Sequence, residues 1–441
     1  MIYNNQETKK LSRRQFLSDL AYRGGAIVSA ALLPGIGTAQ SPPSSPQNLR
    51  IGSSTTKTVL GSNNFSYIGA FNLPQISGGF NTDWSRCLAF RYVNGQLRFF
   101  SSTNQSPSYS PGQIYEVSYP GCATSNYPSA SVVKHWGNIY GGTLVDESGG
   151  GGTVYVYGLY WDETDQRLYW NYGDSYNVAA PDNPCFGYST LGSSAVSYGP
   201  WRMGNCKPFQ FGITGIPTSF ANQYLRGNRL GIGFGGRASA ESAGPVSDGP
   251  ALAAISPPSS ARLSEISSII MLNYPCNPGA GDPYYCRRPA GYTDTITAAG
   301  HPRGPFGNYG GWQWMDFIFQ GGVWIDMPSK HGFLNLPVLG TGAISYSSST
   351  IHSGGIQNWA FIFDPSDLAK VAQGTKNSWD VIPSSYWNIA YPMYGATLGP
   401  QDDEPYTACQ GACFDPTNNR LYVMIPWANG NYPMVCVYQV S

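Results

Sequence analysis

Charge is what this sequence has least of. Asp, Glu, Lys and Arg make up 11% of its 441 residues, with 25 basic against 25 acidic. So sparse and balanced a charge leaves no electrostatic footprint for nucleic acid or an anionic lipid surface. Histidine occurs four times, and no Cys-x2-Cys pair stands near any copy, which argues against a zinc centre of Cys/His type. Signatures of phosphate loops, Gly-x-Ser-x-Gly elbows and His-Glu-x2-His helices are missing as well. Long apolar runs are lacking: the stretch Gly24–Gly37 is short and broken by Gly and Pro, too little to hold a bilayer comfortably. Helix signals are few, a short one in 364–374 stopped by Gly374 and another over Leu263–Met271.

Glycine (54), tyrosine (31) and tryptophan (12) are plentiful. Aromatic and β-branched residues favour strands. The clearest pattern is Val154 to Asp174, where two such runs flank the polar turn Asp162-Glu-Thr-Asp-Gln-Arg167, an antiparallel hairpin. It returns over 411–426 with the turn Asp415-Pro-Thr-Asn-Asn-Arg420, and more weakly over 88–100 around Val93–Gln96. Further hairpins are expected over 209–236, with a polar connector and a third strand at Ala251–Ile255, and over Gly322–Leu336 with a third strand from Trp359. These units are the building blocks of an all-β β-propeller. Five hairpins over the chain mean about 75 residues per blade against a common repeat of ~40–50. The expectation is five blades with long loops, six or seven staying open. The strand Phe65–Leu73 should close the ring on Met434–Val440, since a propeller otherwise leaves two open sheet edges.

The turns YWDETDQRLYW and FDPTNNRLYV, with Trp324-IDMPSKHG and Phe363-DPSDLAKVAQG, resemble those of exported bacterial β-propeller proteins, a family largely uncharacterised. Ser12-Arg13-Arg14-Gln15-Phe16-Leu17, preceded by Lys9 and Lys10, resembles a twin-arginine export signal, with a plausible cut after Ala39. That resemblance implies passage through the twin-arginine machinery, a periplasmic or secreted destination and no membrane attachment after cleavage. The expected organisation is a signal over 1–39, a Ser/Pro/Gln-rich flexible leader over 40–56 and one propeller domain over 57–441. An oxidising compartment permits disulfides. Nine cysteines leave at least one thiol free. Cys276 and Cys286 bracket a loop as a local staple, and Cys185 and Cys206 could do the same.

Propeller geometry sorts the chemistry. The hairpin turns share one face, so Asp162, Glu163, Asp165, Asp415, Asp326 and His331 fall there. An Asp at such a turn is expected to cap its own backbone, and His331 to be a solvated turn residue. Loops on the other face carry Asp83, Arg86, Asp174, His301, Arg303, Tyr309, Trp312, Trp314, Asp316, Glu404 and Trp427, with His135 leading into one of them. Low charge and many aromatics suit a polysaccharide or oligosaccharide partner. Two carboxylates from Asp83, Asp174, Asp316 and Glu404 could flank a glycosidic bond in a hydrolase. Five-bladed arabinanase-like glycosidases place carboxylates on inner strands, as Asp83 and Glu404 would be. A lyase would instead use His135, His301 or Tyr309 as base and Arg303 to neutralise a uronate. Propeller lyases of the ulvan and pectin type have seven blades, which disagrees with five. A non-catalytic carbohydrate- or protein-binding propeller is the alternative, although loops that differ from blade to blade argue against a symmetric lectin. No cofactor is expected; calcium stays open through Asp402–Glu404 and Asp146-Glu147.

Overall fold

The computed structural model describes residues 57–74, 76, 87–103, 112–140, 154–174, 186–202, 212–233, 252–258, 266–273, 321–340, 345–346, 351–352, 356–389, 391, 409, 411–429 and 432–441. They form five mainly antiparallel sheets, the blades of a β-propeller, and a separate two-stranded ribbon of Ser345–Tyr346 with Ile351–His352. The first blade is Ala89–Val93, Gln96–Ser102, Ile114–Ser118 and Val132–Gly137. The second is Val154–Asp162, Arg167–Asp174, Phe186–Leu191 and Ala195–Trp201. The third is Ile213–Gly215, Leu230–Gly233, Leu252–Ile255 and Ser268–Leu272. The fourth runs Gly321–Asp326, Lys330–Leu336, Ile356–Phe363 and Ser385–Asn388, with Thr58–Val59 parallel to its second strand.

The fifth blade joins the two ends of the chain. Gly411–Asp415, Arg420–Asn429 and Tyr432–Val440 come from the C-terminal part, and Phe65–Asn72 supplies the outermost strand. Its register runs from Phe65 opposite Val440 to Asn72 opposite Met434, as expected for ring closure. The other edge of that strand is engaged too: the Ala70 and Ala123 amides donate to each other's carbonyls at 2.8 and 3.1 Å. Neither edge of the closing strand is left wholly open to a foreign chain.

The first strand of each blade lies innermost, and each touches the first strands of the blades on either side, so the five make a closed ring. Five apolar clusters occupy the five gaps between blades. Leu168 and Trp170 pack on Phe100 and Ala89 of the first blade. Tyr169, between them in sequence, packs on Ile213 and Leu230 of the third. Trp324, Phe333 and Phe361 face Leu252 and Ala254. Val323 and Leu334 face Ala412 and Val423, and Tyr422 and Met424 face Phe99 and Val117. Because both faces of a blade are buried, its strands are apolar at successive positions instead of alternating with polar ones. The aromatic abundance of the sequence fills these gaps.

Two local expectations change. Ser268–Leu272 is a strand paired with Leu252–Ile255, not part of a helix. Its SIIML run lets Met271 and Leu272 pack in the gap to the fourth blade. The polar connector of the third blade contains a helix, Thr218–Tyr224. Its Phe220 ring lies 4.8 Å from that of Trp324, docking the helix on the fourth blade. The helix expected in 364–374 is present as Pro365–Ala372, capped by Asp364, whose carboxylate accepts the Ser366 amide. Gly374 follows in the left-handed region at φ 72°.

Candidate functional site

Each inner strand is paired on one side only, so its free edge faces the ring axis. Near the start of these strands the axis is almost closed. Gly158, Gly212, Gly321, Gly322 and Gly411, with Leu88, leave about 10 Å³ there. A Cβ on Gly411 would stand 2.7 Å from the Leu88 amide nitrogen, and one on Gly158 would stand 2.8 Å from the Gly212 backbone. The constriction therefore depends on bare backbone meeting bare backbone.

Towards the hairpin turns the axis widens into a cavity of about 370 Å³ lined by residues of all five inner strands. Phe90, Tyr160, Trp324 and Phe414 contribute aromatic wall, and Glu163, Thr164, Thr218 and Pro416 form its mouth. Those four mouth residues are exposed. Asp162, Asp326 and Arg229 supply charge. The Arg229 guanidinium donates to both Asp162 and Asp165. Tyr169 also donates to Asp165, at 3.0 Å. Burial works against the Arg229 charge, but the two carboxylates outweigh it and its pKa rises. Burial likewise pushes the Tyr160 phenol up, with Asp162 adding to the shift, so it stays protonated. Lys57 donates to Asp326 at 2.6 Å.

The turn aspartates do cap their own backbone. Asp162 Oδ1 accepts the Thr164 and Asp165 amides at 2.8 and 3.1 Å, and Asp415 Oδ1 accepts the Thr417 amide at 2.9 Å. His331 departs from expectation. It lies in a strand opposite Asp326, beside Val59, and is half-buried, not a solvated turn residue. The fourth-blade turn spans the same four residues between its paired ends as the other two, and the added parallel strand, with Thr58 opposite Lys330 and Val59 opposite His331, covers His331.

Asp83, Arg86, His301, Arg303, Tyr309, Trp312, Trp314, Asp316 and Glu404 lie outside the described residues, as do Asp402 and Asp146-Glu147. So do Cys185, Cys206, Cys276 and Cys286; among the described residues, Cys122, Cys409, Cys413 and Cys436 carry free thiols. Asp174 ends the second strand of the second blade, opposite Val154, on the face where inner strands begin. Trp427 is in the second strand of the fifth blade. The side chains of both are outside the described part. His135 is on the outermost strand of the first blade, stacked on Tyr115 at 4.3 Å with its Nε2 3.1 Å from Gln113. Burial lowers its pKa. It does not line the axis. No group of three or more His, Cys, Asp or Glu among the described residues could hold a metal ion.

Arg229 is the axial residue the sequence reading missed. It lies 67 positions from Asp162, and nothing local marks it. Glu116 is a further buried acid with strong partners. Arg91 grips it with two hydrogen bonds at 3.0 and 2.7 Å, and Trp136 Nε1 donates at 3.0 Å. Arg91 also lies 5.1 Å from the Trp161 ring centroid. That network joins the first two blades away from the axis.

No family model and no curated protein matches the chain in sequence. Solved structures do resemble it in outline. A glycosyl hydrolase from Bacteroides ovatus aligns at TM-score 0.38 and 11% identity, covering 89% of this chain and 92% of the other. A structure of the GH130 family of mannoside phosphorylases, which contains glycoside hydrolases that target β-1,2 mannosidic linkages, aligns at 0.41 and 10%, covering 86% and 96%. A GH43_1 enzyme from Xanthomonas citri complexed with xylotriose aligns at 0.39 and 8%, covering 84% and 90%. These are likenesses of outline alone. The five-bladed ring itself stands on its own strand pairing.

Proposed function

We propose that this protein is an exported carbohydrate-active enzyme, a polysaccharide hydrolase or lyase, with one asymmetric site over the face where the inner strands begin. The observation that carries the reading is the glycine constriction. Only about 10 Å³ of free space is left on the axis beneath that face, too little for a sugar ring, so a glycan bound there is held from one side. Asp83, Asp174, Asp316 and Glu404 are the proposed carboxylates, acid and base or nucleophile in a hydrolase. His301 with Arg303 would serve as base and uronate clamp in a lyase. Arg86, Tyr309, Trp312, Trp314 and Trp427 would position sugar rings, and His135 on the outer strand would meet only a long chain crossing the rim. Fold alone does not fix such chemistry. Incubation with neutral and uronate-containing polysaccharides is the test. New reducing ends without unsaturated-uronate absorbance mean hydrolysis, which Glu404→Gln or Asp83→Asn should abolish. Growth of that absorbance means a lyase, lost in His301→Ala or Arg303→Ala. Retention on a polysaccharide without turnover would replace the enzyme by a binding propeller.

A further inference from the structure

The cavity on the hairpin side of the constriction has no part in that reading. We infer that it is a second ligand site, taking one uncharged polyhydroxylated molecule of mono- or disaccharide size, end-on from the hairpin face. At about 370 Å³ it lies near the lower end of the ~300–1,000 Å³ typical of ligand pockets. It holds a short molecule, not the middle of a polymer. Beyond it the axis holds only about 10 Å³ of free space, too little for a sugar ring, so the ligand enters and leaves by the hairpin face.

Three features select the ligand class. The inner strands turn their free edges to the axis; the Trp324 amide already donates to Thr214 there, and peptide groups of such an edge pair with whatever polar groups reach them. Hydroxyls, each both donor and acceptor, satisfy either kind. Phe90, Trp324 and Phe414 offer apolar surface to the C–H face of a sugar ring. Charge then excludes the ionic options. The one cation in the lining, Arg229, is already held by Asp162 and Asp165, so a phosphate or uronate finds no free positive partner. A cation gains little, because Asp162 already holds Arg229 and Asp326 already holds Lys57, leaving only the exposed rim residue Glu163. The paired carboxylates keep lone pairs for hydroxyl donors. This inference goes beyond the catalytic reading and stands without it.

Calorimetric titration of the full chain with glucose, xylose, mannose, arabinose and cellobiose tests it, with glucuronate and tetramethylammonium as charged probes. A neutral sugar should bind. Thr218→Trp, at an exposed mouth position, should weaken that binding about tenfold or more, while Glu404→Gln leaves it unchanged. If Thr218→Trp lowers the melting temperature, Thr164→Trp, at the mouth position of the neighbouring blade, serves in its place. Binding that survives both rim variants but is lost in Glu404→Gln belongs to the other face and overturns the inference. Absence of neutral-sugar binding, or preferential binding of either charged probe, overturns it too. Polysaccharide turnover should be untouched in the rim variants, so loss of turnover in Glu404→Gln alone reports on the catalytic reading.

Discussion

The hairpins of the second and fifth blades share a backbone and differ in what they grip. In each, an Asp faces an Arg across the strand pair, Asp162 with Arg167 and Asp415 with Arg420. In each, Oδ1 caps the turn, and the last loop residue takes the left-handed region, Gln166 at φ 55° and Asn419 at φ 51°. The other oxygen reaches the neighbouring blade. Asp162 Oδ2 accepts the charged guanidinium of Arg229 from the third blade. Asp415 Oδ2 accepts the neutral phenol of Tyr92 from the first, at 2.7 Å. One turn thus does two jobs: the local half is common to both blades, and the half that crosses to the next blade is free to be ionic or neutral.

Removing Asp162 should separate the two hairpins most sharply. Asp162→Ala deletes the cap and leaves Arg229, whose side chain is 21% exposed, with Asp165 alone. The expected loss is about 3 kcal/mol, the low end for breaking a buried pair, read from urea unfolding. Asp162→Asn keeps a capping oxygen and should lose less; equal losses would mean the cap contributes nothing. Transplanting the fifth-blade loop, replacing Glu163-Thr-Asp-Gln166 by Pro-Thr-Asn-Asn, should preserve the turn while removing the second carboxylate held by Arg229 and Tyr169. About 1.5 kcal/mol is expected, with an unchanged denaturant slope. A changed slope would show that the two turns are not interchangeable as backbone.

Tyr92→Phe makes the corresponding cut in the fifth blade. Asp415 keeps its Asn418 partner at 2.8 Å, so a loss of about 1 kcal/mol is expected, typical of one hydrogen bond. Added salt should leave that loss unchanged. The loss in Arg229→Met should shrink as salt rises, since only charges are screened. Salt dependence in Tyr92→Phe would erase the contrast between the two clamps.

This division explains what was legible in the sequence. The turns, the ring closure and most inner hairpins were readable because each is fixed within a few residues: an Asp cap, an Asn or Gln at positive φ, apolar runs on both sides. The partners of Asp162 and Asp415 were not, since Arg229 and Tyr92 belong to other blades. The strand Ser268–Leu272 passed for a helix because apolar runs packed on both faces show no period of two. The helix Thr218–Tyr224 was hidden in a polar sequence whose apolar side is three residues, Phe220, Ala221 and Tyr224. At the candidate site, the axial cavity was overlooked for a related reason. Its charged residues lie in turns that look self-sufficient, and its walls are strand edges contributed by all five blades.

The fourth blade extends the comparison and gives the smallest expected effect. His331 occupies the place of Arg167 and Arg420, opposite Asp326. Burial lowers its pKa, and Lys57 acts in the same direction, while Asp364 and Asp326 oppose them. A histidine depressed in the folded state is more easily protonated when unfolded. Its contribution to stability is therefore complete above the unfolded value of about 6.5 and declines as pH falls through that value towards the folded pKa. His331→Arg would give the fourth blade the pH-independent cation of the other two. Melting temperatures of both proteins from about pH 7.5 to about pH 5 should then show a shallower decline in the variant, because carboxylates elsewhere titrate alike in both. Parallel curves would mean that His331 keeps its unfolded pKa and that its burial beside Val59 has no electrostatic consequence.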